Sequence, residues 1–159
     1  MIRRVLAAAT GALLCAAPLG APAAVAQPEC GPDQATALGA FLVQQQLEPN
    51  SEKPWGPIPL DSNFDPCADL SAVLLTVESA RPGSPVLALL FHRGQYIAPA
   101  TLKPYRFTTL NRERSTPDTV VLDYATAGDE ALGLEPKVTS VRFAWVGDHV
   151  QMLDPGPPV

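Results

Sequence analysis

Apolar and polar positions divide the chain into one helical stretch followed by a series of short extended stretches. Leu38, Phe41 and Leu42 recur at helical spacing, and Asp33 precedes them where its carboxylate can cap the first turn. Pro49 ends the pattern, because proline lacks the N–H that a helix interior needs. The pattern therefore predicts a single amphipathic helix ahead of the extended segments.

A loop and then several strand candidates follow the helix. Residues 51–66 are rich in Pro, Gly and Asp, which predicts a stretch without regular structure. Beyond it, Arg93-Gly94 and Gly147-Asp148 have the composition of two-residue hairpin turns. By periodicity alone, residues 70–79 could be either a strand or a buried helix. A second apolar run follows them across a Pro-Gly turn, and this hairpin arrangement favours a strand. The candidate strands are 70–79, 85–92, 95–102, 105–110, 119–124, 138–146 and 149–153.

This order of elements predicts an α+β fold with one domain over residues 27–159. Hairpin connections make the strands antiparallel, and we expect one sheet of about five to six strands with the helix on one face. Alternation places Val120, Leu122 and Tyr124 on one face of their strand. In the same way, Arg142 points away from the face of Val141, Phe143 and Trp145.

The N-terminal residues predict an export signal at 1–26. Arg3 and Arg4 precede a ten-residue apolar run, and small residues then lead to a cleavage site between Ala26 and Gln27. The run is too short for a membrane-spanning helix, which needs about 20 apolar residues. We therefore expect a secreted protein in the extracytoplasmic cell envelope, with membrane association only if a lipid is attached.

Charge and cysteine content narrow the class of protein further. The chain has 16 acidic and 11 basic residues, which argues against nucleic acid and anionic lipid surfaces as partners. Removing the signal removes Cys15, and the remaining Cys30 and Cys67 are expected to form one disulfide. Only His92 and His149 are available as histidine ligands, so neither a metal nor another cofactor is expected.

Four segments in fixed order resemble the LppP/LprE-type actinobacterial lipoproteins. They are NFDPCADLSAVLL, LLFHRGQYIAPAT, DTVVLDY and VRFAWVGDHVQMLDPGPP, and the resemblance that they carry extends over nearly all of the predicted mature chain. The resemblance implies an exported cell-envelope protein and carries over no enzymatic activity.

Members of this family typically carry a lipid on the first cysteine of the mature chain, and here the sequence departs from the pattern. A lipid-attachment site has a small residue directly before the cysteine. Leu14 precedes Cys15, and Gln27-Pro28-Glu29 precede Cys30. A released form is therefore the expectation.

Two sets of polar residues are candidates for a site. His92, Arg93 and Tyr96 surround a predicted hairpin end, which serves either as an exposed recognition turn or as an ordinary turn. Asp65 and Asp69 flank Cys67, where two carboxylates suit cation binding or acid–base chemistry, or simply turn formation and capping.

Trp55 is the third candidate. It lies in the Pro-rich segment KPWGPIP, either as an exposed anchor for a partner or folded back over the sheet.

No catalytic motif stands out, so we assign no catalytic residue. The chain has no Gly-x-Ser-x-Gly elbow, no phosphate-binding glycine loop and no His-Glu-x-x-His pair. The leading hypothesis is a monomeric, non-enzymatic module that binds an envelope protein or a small ligand through its hairpin ends or sheet face. The alternatives are a hydrolase or other enzyme with a site near His92, Asp65 and Asp69, and a secreted protein inhibitor.

Overall fold

The computed structural model describes residues 30–47, 54–128 and 135–157. The predicted signal peptide, its cleavage site and Cys15 lie outside these residues, so they stay predictions. No helix among the described residues has the length and apolar composition needed to cross a membrane.

Helix α1 spans Gln34–Leu47 and begins as the sequence predicts. The backbone N–H of Thr36 donates to Asp33 Oδ1 at 2.9 Å, which satisfies one of the free donors of the first turn. The same hydrogen bond holds the pKa of the Asp33 carboxyl below its usual value. Leu38 and Phe41 are buried, so the predicted apolar face is confirmed.

The strands form two antiparallel sheets of four, with the orders β1-β2-β3-β4 and β5-β6-β7-β8. The α+β class is confirmed, but the prediction of one sheet with about five to six strands is wrong. The additional strand β1 lies in the segment predicted to be irregular, where it pairs with β2. The bounds are β1 Asp61–Ser62, β2 Ser71–Thr76, β3 Val86–His92, β4 Gln95–Pro99, β5 Thr108–Leu110, β6 Thr119–Ala125, β7 Val138–Val146 and β8 His149–Met152.

Three layers result, with α1 on one face of the first sheet and the second sheet on the other. Alternate residues of β2 and β3 therefore belong to different cores: Leu74 and Leu90 face the second sheet, whereas Val73 and Phe91 face α1. A strand covered on both faces reads as a continuous apolar run. The run SAVLLT carries that signal, because all but its last residue are buried. The core between the sheets is formed by Leu70, Ala72, Leu74, Val86, Ala88, Leu90, Ala100, Leu110, Val120, Leu122, Tyr124, Val141 and Phe143.

The Cys30–Cys67 disulfide predicted from the sequence is present. It joins the segment before α1 to the loop before β2, and the two Cα atoms lie 4.6 Å apart. Beside it, the Gly31 N–H donates to the Pro66 carbonyl at 2.8 Å. The disulfide therefore attaches the helix layer to the end of the first sheet.

Candidate functional site

The β3–β4 hairpin end is the first candidate, and its turn is of the type that the sequence predicts. Arg93 and Gly94 have φ values of 46° and 73°, and His92 pairs with Gln95 across the turn. Positive φ at both central positions is the geometry of a type I′ turn. Glycine is needed at the second position, since a Cβ on Gly94 would lie 2.6 Å from the Pro32 carbonyl oxygen.

His92 connects this hairpin to the second sheet. Its Nδ1 lies 2.7 Å from the carbonyl oxygen of Asp69, and its ring stacks on Trp145 with centroids 3.8 Å apart. A carbonyl oxygen only accepts, so Nδ1 donates and the neutral ring keeps Nε2 as an acceptor. Alternation along β7 predicts the face on which Trp145 lies but does not indicate its contact with His92, because that contact crosses from β7 to β3.

Arg93 and Asp69 complete a cluster around the turn. Arg93 Nε and Nη2 both lie 3.2 Å from Asp69 Oδ1, and the Arg93 N–H donates to the Ala68 carbonyl at 2.9 Å. Both charged side chains are close to half exposed, so the ion pair adds little stability. We call Asp69, His92, Arg93 and Trp145 the clasp, because they bring together the loop before β2, the β3–β4 turn and β7.

The hydrogen bonds that Asp65 makes among the described residues do not involve the clasp. Its Oδ1 accepts the backbone N–H of Cys67 at 2.8 Å, which is the turn-forming role expected of Asp before Pro. The same residue lines a hollow of about 220 Å³, whose lining is part polar and part apolar: Asn63, Asp65, Ala68, Leu70, Arg112, Ser115, Thr116 and Pro117. Neither His92 nor Asp69 lines this hollow. Among the described residues no group of three or more His, Cys, Asp or Glu side chains is placed to hold a metal ion.

Trp55 and Tyr96 lie at the core between α1 and the first sheet. Both are partly buried and pack against that core. The Tyr96 ring lies 4.9 Å from Phe41 and 5.9 Å from Phe91, measured between centroids. Of the two roles considered for Trp55, this position agrees with the one in which it covers the sheet.

A groove that sequence reasoning missed lies between the β4–β5 connection and the segment after β8. Its volume is about 470 Å³. We call it the tail groove; its lining residues are Pro99, Ala100, Thr101, Leu102, Lys103, Tyr105, Met152, Gly156 and Pro157. Leu102 is fully exposed and Met152 is 39% exposed, so the groove presents apolar surface to water. No sequence pattern singles out Leu102 or Met152, because each has apolar residues close by in its own stretch of chain.

An ion pair holds the C-terminal wall of the tail groove in place. Arg142 Nη2 lies 2.8 Å from Asp154 Oδ1, Arg142 Nε lies 2.9 Å from Oδ2, and the Arg142 backbone N–H also donates to Oδ2. The guanidinium and this N–H lower the pKa of Asp154 to about 2. The Leu153 N–H donates to the Arg142 carbonyl, so the segment is anchored by backbone and side chain.

The opposite wall carries the polar groups of the tail groove. The Thr101 hydroxyl donates to the Lys103 carbonyl at 2.8 Å, and Lys103 Nζ lies 5.4 Å from the centroid of the Tyr105 ring. Behind this wall, Tyr124 packs edge-on against Tyr105 at 5.3 Å. Burial raises the pKa of Tyr124, and its hydroxyl, near Thr101, has no partner in full hydrogen-bonding geometry among the described residues.

Residues 62–148, more than half of the chain, match the family model of the LppP/LprE lipoproteins. The chain belongs to the LppP/LprE lipoprotein family. The resemblance seen in the four sequence segments is thereby confirmed. The matched range contains the clasp and the Pro99–Tyr105 wall of the tail groove, whereas the Met152–Pro157 wall lies beyond it.

Curated relatives of this LppP/LprE protein come from mycobacteria. The proteins named lipoprotein LprE in Mycobacterium tuberculosis and Mycobacterium bovis are 36% identical to it over 106 residues, which cover 67% of this chain and 49% of theirs. LprE of Mycobacterium leprae is also 36% identical over 106 residues, which make up 50% of that protein. The chain thus spans about half the length of the curated relatives it matches. No solved structure matches it.

Proposed function

We propose that this LppP/LprE protein is an extracytoplasmic binding protein and that the tail groove is its ligand site. The observation that carries the proposal is the apolar groove of about 470 Å³, a size within the range of small-molecule sites. Membership of a lipoprotein family and the predicted export signal support an envelope location. The clasp is a weaker candidate, because its imidazole and its ion pair are already bonded within the protein.

Leu102 shows why a ligand would gain from binding here. Its side chain is fully exposed although it is one of the larger apolar residues, and it lies in the groove beside Tyr105. Covering one leucine side chain contributes about 1.5–3 kcal/mol when it is removed completely from water. A ligand that also covers Met152 would gain further binding free energy, and this favours a ligand with substantial apolar surface.

Binding of N-phenyl-naphthylamine to the purified protein tests this proposal. The fluorescence of this neutral probe rises in an apolar environment, and we expect saturable binding. Leu102→Ser should weaken it about tenfold, because the probe loses apolar contact. Ile58→Ser is the matched control, since Ile58 is 79% exposed and lies outside the groove lining. Absence of saturable binding, or equal effects of the two variants, would overturn the proposal.

Intact-mass analysis of the protein recovered from the culture medium and from the envelope tests the location. We expect a chain that begins at Gln27, lacks two hydrogens because of the Cys30–Cys67 bond, and carries no lipid. An added diacylglyceryl group would refute the released form, and an uncleaved chain retained in the cytoplasm would refute export.

A further inference from the structure

We infer that the ligand of the tail groove is an amphipathic anion, with a carboxylate or similar acidic group on an apolar body, and that Lys103 selects its charge. The inference rests on the proposed binding function and goes beyond it by naming the ligand class. Three observations carry it: the charges that line the groove, the pairing of Lys103, and the division of the groove into two unlike walls.

The charges in the tail groove oppose the charge of the whole protein. The chain has a net charge of −5, yet the residues that line the groove include one cation, Lys103, and no acidic side chain. A site with positive charge and without carboxylates attracts anions and disfavours cations. The remaining acidic surface repels an anionic ligand elsewhere, which adds to the preference for this position.

Lys103 is not committed to an ion pair. Arg93, Arg112 and Arg142 each pair with an aspartate, whereas no carboxylate of the described chain lies within ion-pair distance of Lys103. Its contact is with the Tyr105 ring, which holds the ammonium near the groove wall. An ammonium has three N–H donors. Lys103 is therefore positioned to donate to an acidic group that enters the groove.

The two walls differ in chemistry, and this difference predicts an amphipathic occupant. Thr101, Lys103 and Tyr105 bring polar groups to the β4–β5 connection. Met152, Gly156 and Pro157 form the wall across from it and present no charged side chain. A purely ionic ligand would leave the apolar wall and Leu102 in water, whereas a purely apolar one would cover the Lys103 ammonium without replacing its water contacts.

Three probes, each built on a chain of ten carbon atoms that ends in a different head group, test the inference. Decanoate, decanol and decyltrimethylammonium compete with bound N-phenyl-naphthylamine on the whole purified protein. We expect decanoate to bind up to about fivefold more tightly than decanol, which is the upper end of what one exposed charge contact contributes, and the cation to bind most weakly. Added NaCl should reduce the advantage of decanoate, because exposed charges are screened.

The variant Lys103→Met tests whether Lys103 causes the preference for decanoate over decanol. This variant should bring the affinity of decanoate down to that of decanol and leave decanol unchanged. Lys137→Met is the matched control, because Lys137 is exposed and outside the groove lining, and it should preserve the preference.

The outcomes separate the inference from the proposed function. Equal affinities for the three head groups would refute charge selection while the groove still binds its probe. A preference for decanoate that survives Lys103→Met would refute the role of Lys103. Failure of N-phenyl-naphthylamine to bind at all would refute the proposed function as well.

Discussion

The Cys30–Cys67 disulfide is expected to supply a large part of the stability of this domain. The bonded residues are 37 apart in sequence, and the bond attaches the segment before α1 to the loop before β2. On the chain-entropy account, closing a loop of this length removes about 4 kcal/mol of conformational freedom from the unfolded chain. A domain of this size typically has about 5–15 kcal/mol in total. Replacing both cysteines by serine should therefore remove between a quarter and most of the stability.

Urea unfolding followed by tryptophan fluorescence and circular dichroism measures this loss. The Cys30→Ser, Cys67→Ser double variant should have a free energy of unfolding about 4 kcal/mol below that of the oxidised wild type. Reductant serves as the control: it should bring the wild type to the level of the variant and leave the variant unchanged. The urea dependence should be steeper without the bond, because a chain without the bond exposes more surface on unfolding.

A loss of less than about 1 kcal/mol would refute the loop-closure argument. It would mean that the Gly31 to Pro66 hydrogen bond and the packing of α1 hold the two segments together without the covalent link, or that the reduced unfolded chain is already compact. A response of the double variant to reductant would show that the effect has another source.

Four other changes test the packing and charges by the same urea measurement. Asp33→Ala should lower the free energy of unfolding because the helix loses its cap, and Asp33→Asn should retain most of that stability. Phe91→Ala should lower the free energy of unfolding by about 3–5 kcal/mol, because it opens a cavity under α1. Phe91→Leu fills more of that space and should lower it by less than about 1.5 kcal/mol. Gly94→Ala should lower the free energy of unfolding by more than about 1 kcal/mol, because φ is 73° there and the new Cβ would lie 2.6 Å from a carbonyl oxygen. Gly39→Ala is the control, since the space around Gly39 is open, and it should be neutral or stabilising. Because the pKa of Asp154 falls from 3.8 to about 2 in the folded state, its ion pair stabilises the protein fully above about pH 4 and ceases to do so as the pH falls towards 2.

Each of these expectations has a result that contradicts it. An unchanged Asp33→Ala would show that the capping bond contributes nothing to the helix, and equal costs for both Phe91 variants would exclude a cavity effect. Equal costs for Gly94→Ala and Gly39→Ala would show that the turn tolerates a Cβ. Asp154→Asn should lower stability at neutral pH and match the wild type at the acidic end; a constant difference at every pH would rule out the carboxylate as the cause.

Short-range signals in the chain were enough to locate the helix, most strands and the tight turns. The capping Asp33, the apolar spacing of Leu38 and Phe41 and the Arg93-Gly94 pair each act over a few residues, so the physics that decides them is contained in neighbouring positions. The disulfide could be predicted from the number of cysteines, because only two cysteines lie outside the predicted signal. Elements and covalent links could therefore be inferred before any packing was known.

The division into two sheets depended on packing between residues distant in sequence. β2 and β3 are apolar on both faces, so each face needs a cover, and α1 is large enough for one. The second sheet covers the other, and β4 accordingly ends without pairing to β5. Alternation within one strand tells which residues share a face but not which element covers it.

The candidate sites depended on packing in the same way. Asp69 and His92 are 23 residues apart, and Trp145 stands on a strand of the other sheet, so no local pattern connects them. The tail groove likewise joins the β4–β5 connection to the end of the described chain. Leu102 and Lys103 line a groove because the segment after β8, which the Arg142–Asp154 pair attaches to β7, lies beside them, and no pattern in their own stretch of sequence indicates that neighbour.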